Sequence, residues 1–168
     1  MAHRIWYPQL DAFDCIRRMV AILSFADDEG LSMERAQMAD LFLSSPPLLH
    51  SVTMPMQVRS NFRELGIARP EKSFLSYPAA PLLFHKMEPV QRRAIRAMVG
   101  KNLIDLRLYE KRALSLTDDA RSLLDTRLKH SVAELKLAQF IVSDILAIGE
   151  DNIEESKDDG GIDIERLE

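Results

Sequence analysis

The stretch Pro89-Val90-Gln91-Arg92-Arg93-Ala94-Ile95-Arg96-Ala97-Met98-Val99-Gly100-Lys101-Asn102-Leu103-Ile104-Asp105-Leu106-Arg107-Leu108-Tyr109-Glu110-Lys111-Arg112-Ala113-Leu114-Ser115-Leu116-Thr117-Asp118-Asp119 changes its hydrophobic period twice. Val90, Ala94, Ile95, Met98 and Val99 recur at the spacing of one helical face, and Pro89 suits a first helical turn. Arg92, Arg93 and Arg96 fall mostly outside that face. Lys101-Asn102 ends the helix, because Asn tolerates the left-handed cap conformation. Ile104, Leu106 and Leu108 then alternate with Asp105 and Arg107, which predicts a half-buried strand. Leu114 and Leu116 flanking Ser115 predict a second strand, with Tyr109 to Arg112 as the hairpin tip. Thr117 caps a new helix that carries Asp118 and Asp119 in its first turn.

Working outward, a first helix is predicted from Leu10 to Ala26, with Phe13, Ile16, Val20 and Leu23 as its buried stripe. Ser32 caps a second helix, which Pro46-Pro47 stops. A third runs from Met56 to Leu65, with Gly66 as its C-terminal cap. Residues 67–88 contain Pro70, Pro78 and Pro81 and read as an irregular insertion, long enough to touch a partner. Downstream, a stripe through Ala120, Leu124, Leu128, Val132, Leu135, Ala138, Val142 and Ile145 predicts one long helix over 117–149. If unbroken it spans on the order of 50 Å. Its second half is apolar on more than one side, so Leu135, Leu137, Phe140, Ile141, Ile145 and Leu146 are expected to meet a partner helix or subunit. The fold class is therefore mainly α with a small β-hairpin: a domain over 5–128, the long helix, and a tail over 150–168.

Composition bounds the function. The 168 residues are 46 % hydrophobic and 29 % charged, enough to bury a core. A single cysteine, Cys15, excludes a disulfide framework. His3, His50, His85 and His130 show no metal-ligand spacing, so no metal and no cofactor is expected. Gly100-Lys101 lacks the frame of a phosphate-binding loop. Cys15 reads as a buried small hydrophobe and His85 as a packing residue. Catalysis is not expected. No apolar run is long enough for a membrane span, and the first residues lack a signal-peptide core, so the cytoplasm is the default compartment.

The net charge of −4 averages two unlike parts. Residues 150–168 hold nine acids and two bases, a local net of −7, and are expected to be disordered. Residues 86–112 hold eight bases against three acids. Arg92, Arg93, Arg96, Lys101, Lys111 and Arg112 are the candidates for contact with double-stranded DNA, since each neutralised phosphate releases counterions. The plain alternative is a solvated basic face.

The order helix, cap, strand, charged tip, strand, Thr-capped helix is that of a winged helix. Lys101-Asn102-Leu103-Ile104 and Leu116-Thr117-Asp118-Asp119-Ala120 resemble the Lys-Gly-Leu-Ile turn and Leu-Thr-x-x-Gly exit of winged-helix regulators, with Asn102 and Ala120 replacing the glycines. The opening Tyr7-Pro8-x-Leu10-Asp11-x-Phe13-Asp14-Cys15-x-Arg17-Arg18-Met19-x-Ala21-Ile22-Leu23 resembles the middle component of bacterial ABC-three-component systems, the group that includes the Lamassu defence system. The likeness extends through Asp40-Leu41-Phe42-Leu43 and Pro46-Pro47. It implies a non-catalytic subunit that links an SMC-like ABC ATPase to an effector, often a nuclease, in defence against phage or plasmids. The competing reading is a stand-alone winged-helix transcriptional regulator, dimeric through the last helix.

Overall fold

The computed structural model describes residues 7–69, 80–126 and 129–148. A 3-10 turn, Pro8–Leu10, leads into α1 (Ala12–Leu23). A short strand β1 (Leu31–Ser32) precedes α2 (Met33–Ser44), and the 3-10 turn Pro46–Ser51 precedes α3 (Met56–Glu64). Then come α4 (Ala80–Gly100), α5 (Leu106–Glu110), β2 (Ala113–Leu114), α6 (Asp118–Thr126) and α7 (Val132–Phe140). A π-helical turn, Ile141–Ile145, continues α7. The architecture is mainly helical with a small two-stranded antiparallel sheet, and α1 packs against α2, α4 and α7.

Local chemistry fixes several of these boundaries as the sequence predicts. The Ser32 hydroxyl accepts from the Arg35 amide and starts α2. Thr117 accepts from the Ala120 amide. Asn102 and Gly66 adopt φ of +56° and +62° at their helix ends. Asp11 was not anticipated as a cap; its carboxylate accepts from the Phe13 and Asp14 amides, both at 2.9 Å.

Four expectations are corrected. The first concerns the hairpin. Only Ile104 bridges Leu116; the expected strand beyond it turns into α5, because Asp105 accepts from the Arg107 and Leu108 amides and caps a helix. Leu106 is 55 % exposed, so its alternation with Asp105 and Arg107 did not mark a buried face. β2 instead pairs with β1, in the register Leu31 with Leu114 and Ser32 with Ala113.

Second, the helix expected to begin at Pro89 begins at Ala80, so residues 80–88 of the expected insertion are helical. Leu83 and Met87 bury beside Leu41 in a small second cluster. Pro89 removes one helical bond, to the carbonyl of residue 85. Positions 85 and 89 are exposed, where water can take that bond. His85 is consequently not a packing residue: its side chain is 83 % exposed. Residues 70–79 of the insertion lie outside the described residues.

Third, the long helix expected over 117–149 is two helices, with residues 129–131 non-helical. Ser131 accepts from the Glu134 amide and starts α7 afresh. That allows α7 to take a direction of its own and fold onto α1 and α2. Its apolar residues then join the same core as those of α1, α2 and α4. Fourth, Phe13 is not in the stripe of α1; it is 83 % exposed, and the buried face runs through Cys15, Arg18, Met19 and Ile22. The acidic tail, 150–168, lies outside the described residues.

Candidate functional site

α4 presents the basic face predicted for it. Ala94, Ile95 and Met98 are buried, which turns Arg92, Arg93 and Arg96 to solvent. The turn between α5 and β2 is tight, with Lys111 and Arg112 donating their amides to the Leu108 and Tyr109 carbonyls at 2.9 Å. Arg112 sits there at φ +65° and projects towards α4. The result is a groove of about 510 Å³ lined by Arg92, Arg96 and Arg112 over Ile95, with Tyr109, Met33, Gln37 and Glu34 completing the wall. Two carboxylates temper its charge: Glu34 lines it, and Glu88 pairs with Arg92 one helical turn away. Arg93, Lys101 and Lys111 are exposed but do not line the groove. The tertiary structure thus gathers three of the six predicted cations.

Beneath the groove lies a buried polar network that was missed. Arg18, Asp40 and Gln91 are 2 %, 0 % and 0 % exposed. Arg18 Nε donates to Asp40 Oδ1 at 2.6 Å, and its Nη1 donates to Asp14 at 2.6 Å and to the Pro8 carbonyl at 3.1 Å. Gln91 Nε2 donates to Asp40 Oδ2 at 2.9 Å and to the Gln37 carbonyl at 3.1 Å. Burial disfavours the Arg18 charge, but the Asp40 carboxylate, joined by Cys15 and Asp14, outweighs it and holds the guanidinium above its ordinary value. The sequence did carry a signal: Arg18 falls three residues after Cys15 and four before Ile22, on the buried phase of α1. Gln91 likewise falls four before Ile95.

A second set ties α1 to the start of α7. Arg17 donates to both carboxylate oxygens of Glu134 at 2.6 Å, and His130 Nδ1 lies 3.4 Å from Glu134. Burial first, then the negative field of Asp40, pushes the Cys15 thiol well above its ordinary value, so it stays protonated and unreactive. Among the described residues, no cluster of three metal-ligating side chains occurs, and no helix is long and apolar enough to cross a membrane.

The family model for the ABC-three component system Middle Component 5 matches residues 4–156. The chain belongs to this family. No curated protein and no solved structure matches it. A middle component is one part of a multi-subunit system, so this Middle Component 5 chain has partners within that system.

The residues expected to meet a partner lie in, or half-buried against, the chain's own core. Leu137, Phe140, Ile141, Ile145 and Leu146 are 6 %, 5 %, 0 %, 6 % and 8 % exposed, and Leu135 is half-buried against the same core. The chain covers its own apolar surplus by breaking the rod and folding α7 back. On α7, Val132 stays 71 % exposed. At the entry to α1, Tyr7, Leu10 and Phe13, close in sequence, are 56 %, 41 % and 83 % exposed.

Proposed function

We propose that this Middle Component 5 chain is a non-catalytic, winged-helix-like accessory subunit. It links an SMC-like ABC ATPase to an effector nuclease in a Lamassu-like anti-phage or anti-plasmid complex in the cytoplasm. The family match over residues 4–156 is the observation that carries this reading. The winged-helix element of it is supported by the placement of β1 between α1 and α2, the pairing of β1 with β2, and α4 as the exposed basic helix preceding the turn at Arg112. Exposed Tyr7, Leu10 and Phe13 supply an apolar docking face for the ATPase or effector.

The Arg92, Arg96 and Arg112 groove meets the phosphate backbone of double-stranded DNA held by the assembly. Co-expression of this chain, tagged, with the ATPase and effector of the same system yields one stable complex. Recovery of the tagged chain alone overturns the linking role. For DNA, Arg96→Glu with Arg112→Glu weakens duplex binding and flattens its salt dependence, the slope falling by about 0.9 for each phosphate no longer neutralised. Arg92→Glu with Arg93→Glu acts in the same direction. Binding equal to wild type across a salt series leaves these arginines as a solvated face.

A further inference from the structure

A second cleft lies away from α4. α3 and the turn Pro46–Ser51 enclose about 510 Å³ over a floor of Leu49, Met54 and Phe62, with Arg59, Arg63 and Arg69 at the rim. His50 meets Phe62 edge-on at 4.9 Å and donates from Nε2 to the Ile67 carbonyl at 3.0 Å. No Asp or Glu lines this cleft. Arg59 donates to the Met54 carbonyl, and none of the three arginines forms an ion pair among the described residues. The α4 groove differs, since Glu34 and Glu88 already offset its charge. Three uncompensated guanidiniums round an apolar floor select an acidic chain that also carries aliphatic side chains.

We propose that this cleft is the docking site for the chain's own acidic segment, residues 150–168. That segment holds nine acids and two bases, and it intersperses them with Ile153, Ile162, Ile164 and Leu167. The described helix that precedes it lies against α3, which walls the cleft. α3 holds the far end of the C-terminal helix through Asn61, which donates to Asp144 at 3.0 Å, and through Phe62, which stacks on Phe140 at 5.9 Å. Asp144 is six positions before residue 150. Nineteen residues are enough chain to cross one helix, since a chain of that length reaches about 25 Å even without being fully extended. Tethering raises the effective concentration to about millimolar, enough to fill a site of modest affinity. While bound, the segment competes with any other anionic ligand for the cleft.

The test uses the full chain with Ser156→Cys carrying a nitroxide. Cys15 is fully buried, so the label goes to the introduced thiol alone. At low salt the amide signals of Arg63, Gly66 and Arg69 lose most of their intensity. They recover at about 1 M salt, where charges are screened beyond about 3 Å. They recover too in Arg63→Gln with Arg69→Gln, two exposed positions where folding is retained. Unaffected amides in the cleft overturn the proposal, as does broadening centred on Arg92 and Arg96. Broadening that appears only after duplex DNA or a partner subunit is added also overturns it.

Discussion

Asp40 is the residue on which most of the interior polarity converges. Its carboxylate accepts from Arg18 and Gln91, and it faces the Cys15 thiol at 3.6 Å. Removing it strands a guanidinium that is 2 % exposed. Asp40→Ala is therefore expected to lower stability by about 3–5 kcal/mol in urea denaturation. Replacing both partners, Arg18→Met with Asp40→Leu, restores most of that loss, because no charge is left unpaired. Cys15 gives a pH prediction. Its thiol is raised above the ordinary 9.0 in the folded state only. The stabilising contribution is complete below that pH and is lost as pH rises, when the unfolded thiol ionises and the folded one does not. Above pH 9.0 wild type should lose about 1.4 kcal/mol per pH unit more than Cys15→Ala, read from denaturation midpoints at each pH. Residue type alone made Cys15 legible as a core residue. The Arg18–Asp40–Gln91 set was hidden because its members lie far apart in sequence and only packing of α1, α2 and α4 brings them together.

At the scale of elements, capping chemistry was the most readable signal. Ser32, Thr117, Asn102 and Gly66 act at short range, so their roles follow from their neighbours. The β-pairing was not readable, because a strand of two residues carries no periodicity and its partner lies more than 80 positions away. Gly30 secures that pairing. It adopts φ +76°, and a Cβ there would meet the Leu114 carbonyl oxygen at 2.6 Å. Gly30→Ala is expected to cost on the order of 2–4 kcal/mol, from the left-handed backbone and from displacing β2. Hydrogen exchange should show the loss as faster exchange at the β1–β2 pair. Protection there equal to wild type would mean that the close approach is not needed.

Over the whole molecule, the two kinds of apolar side chain separate cleanly. Phe140 is 5 % exposed and stacked on Phe62, so Phe140→Ala should lower global stability by about 3–5 kcal/mol. Phe13 is 83 % exposed, so Phe13→Glu should leave the denaturation midpoint within about 0.5 kcal/mol while abolishing co-purification with the other subunits. Complex formation that survives Phe13→Glu moves the docking face elsewhere. The sequence by itself determined the helical class, the caps at Ser32, Thr117, Asn102 and Gly66, the basic character of α4, the inert cysteine and the likeness to a middle component. Each is a property of short range or of residue type. Only the tertiary structure decided which apolar surfaces are covered and which cations share a groove. A helical stripe shows that a face is apolar, but what lies against it depends on where the chain bends. Here the break before Ser131 turned an expected docking rod into part of the core.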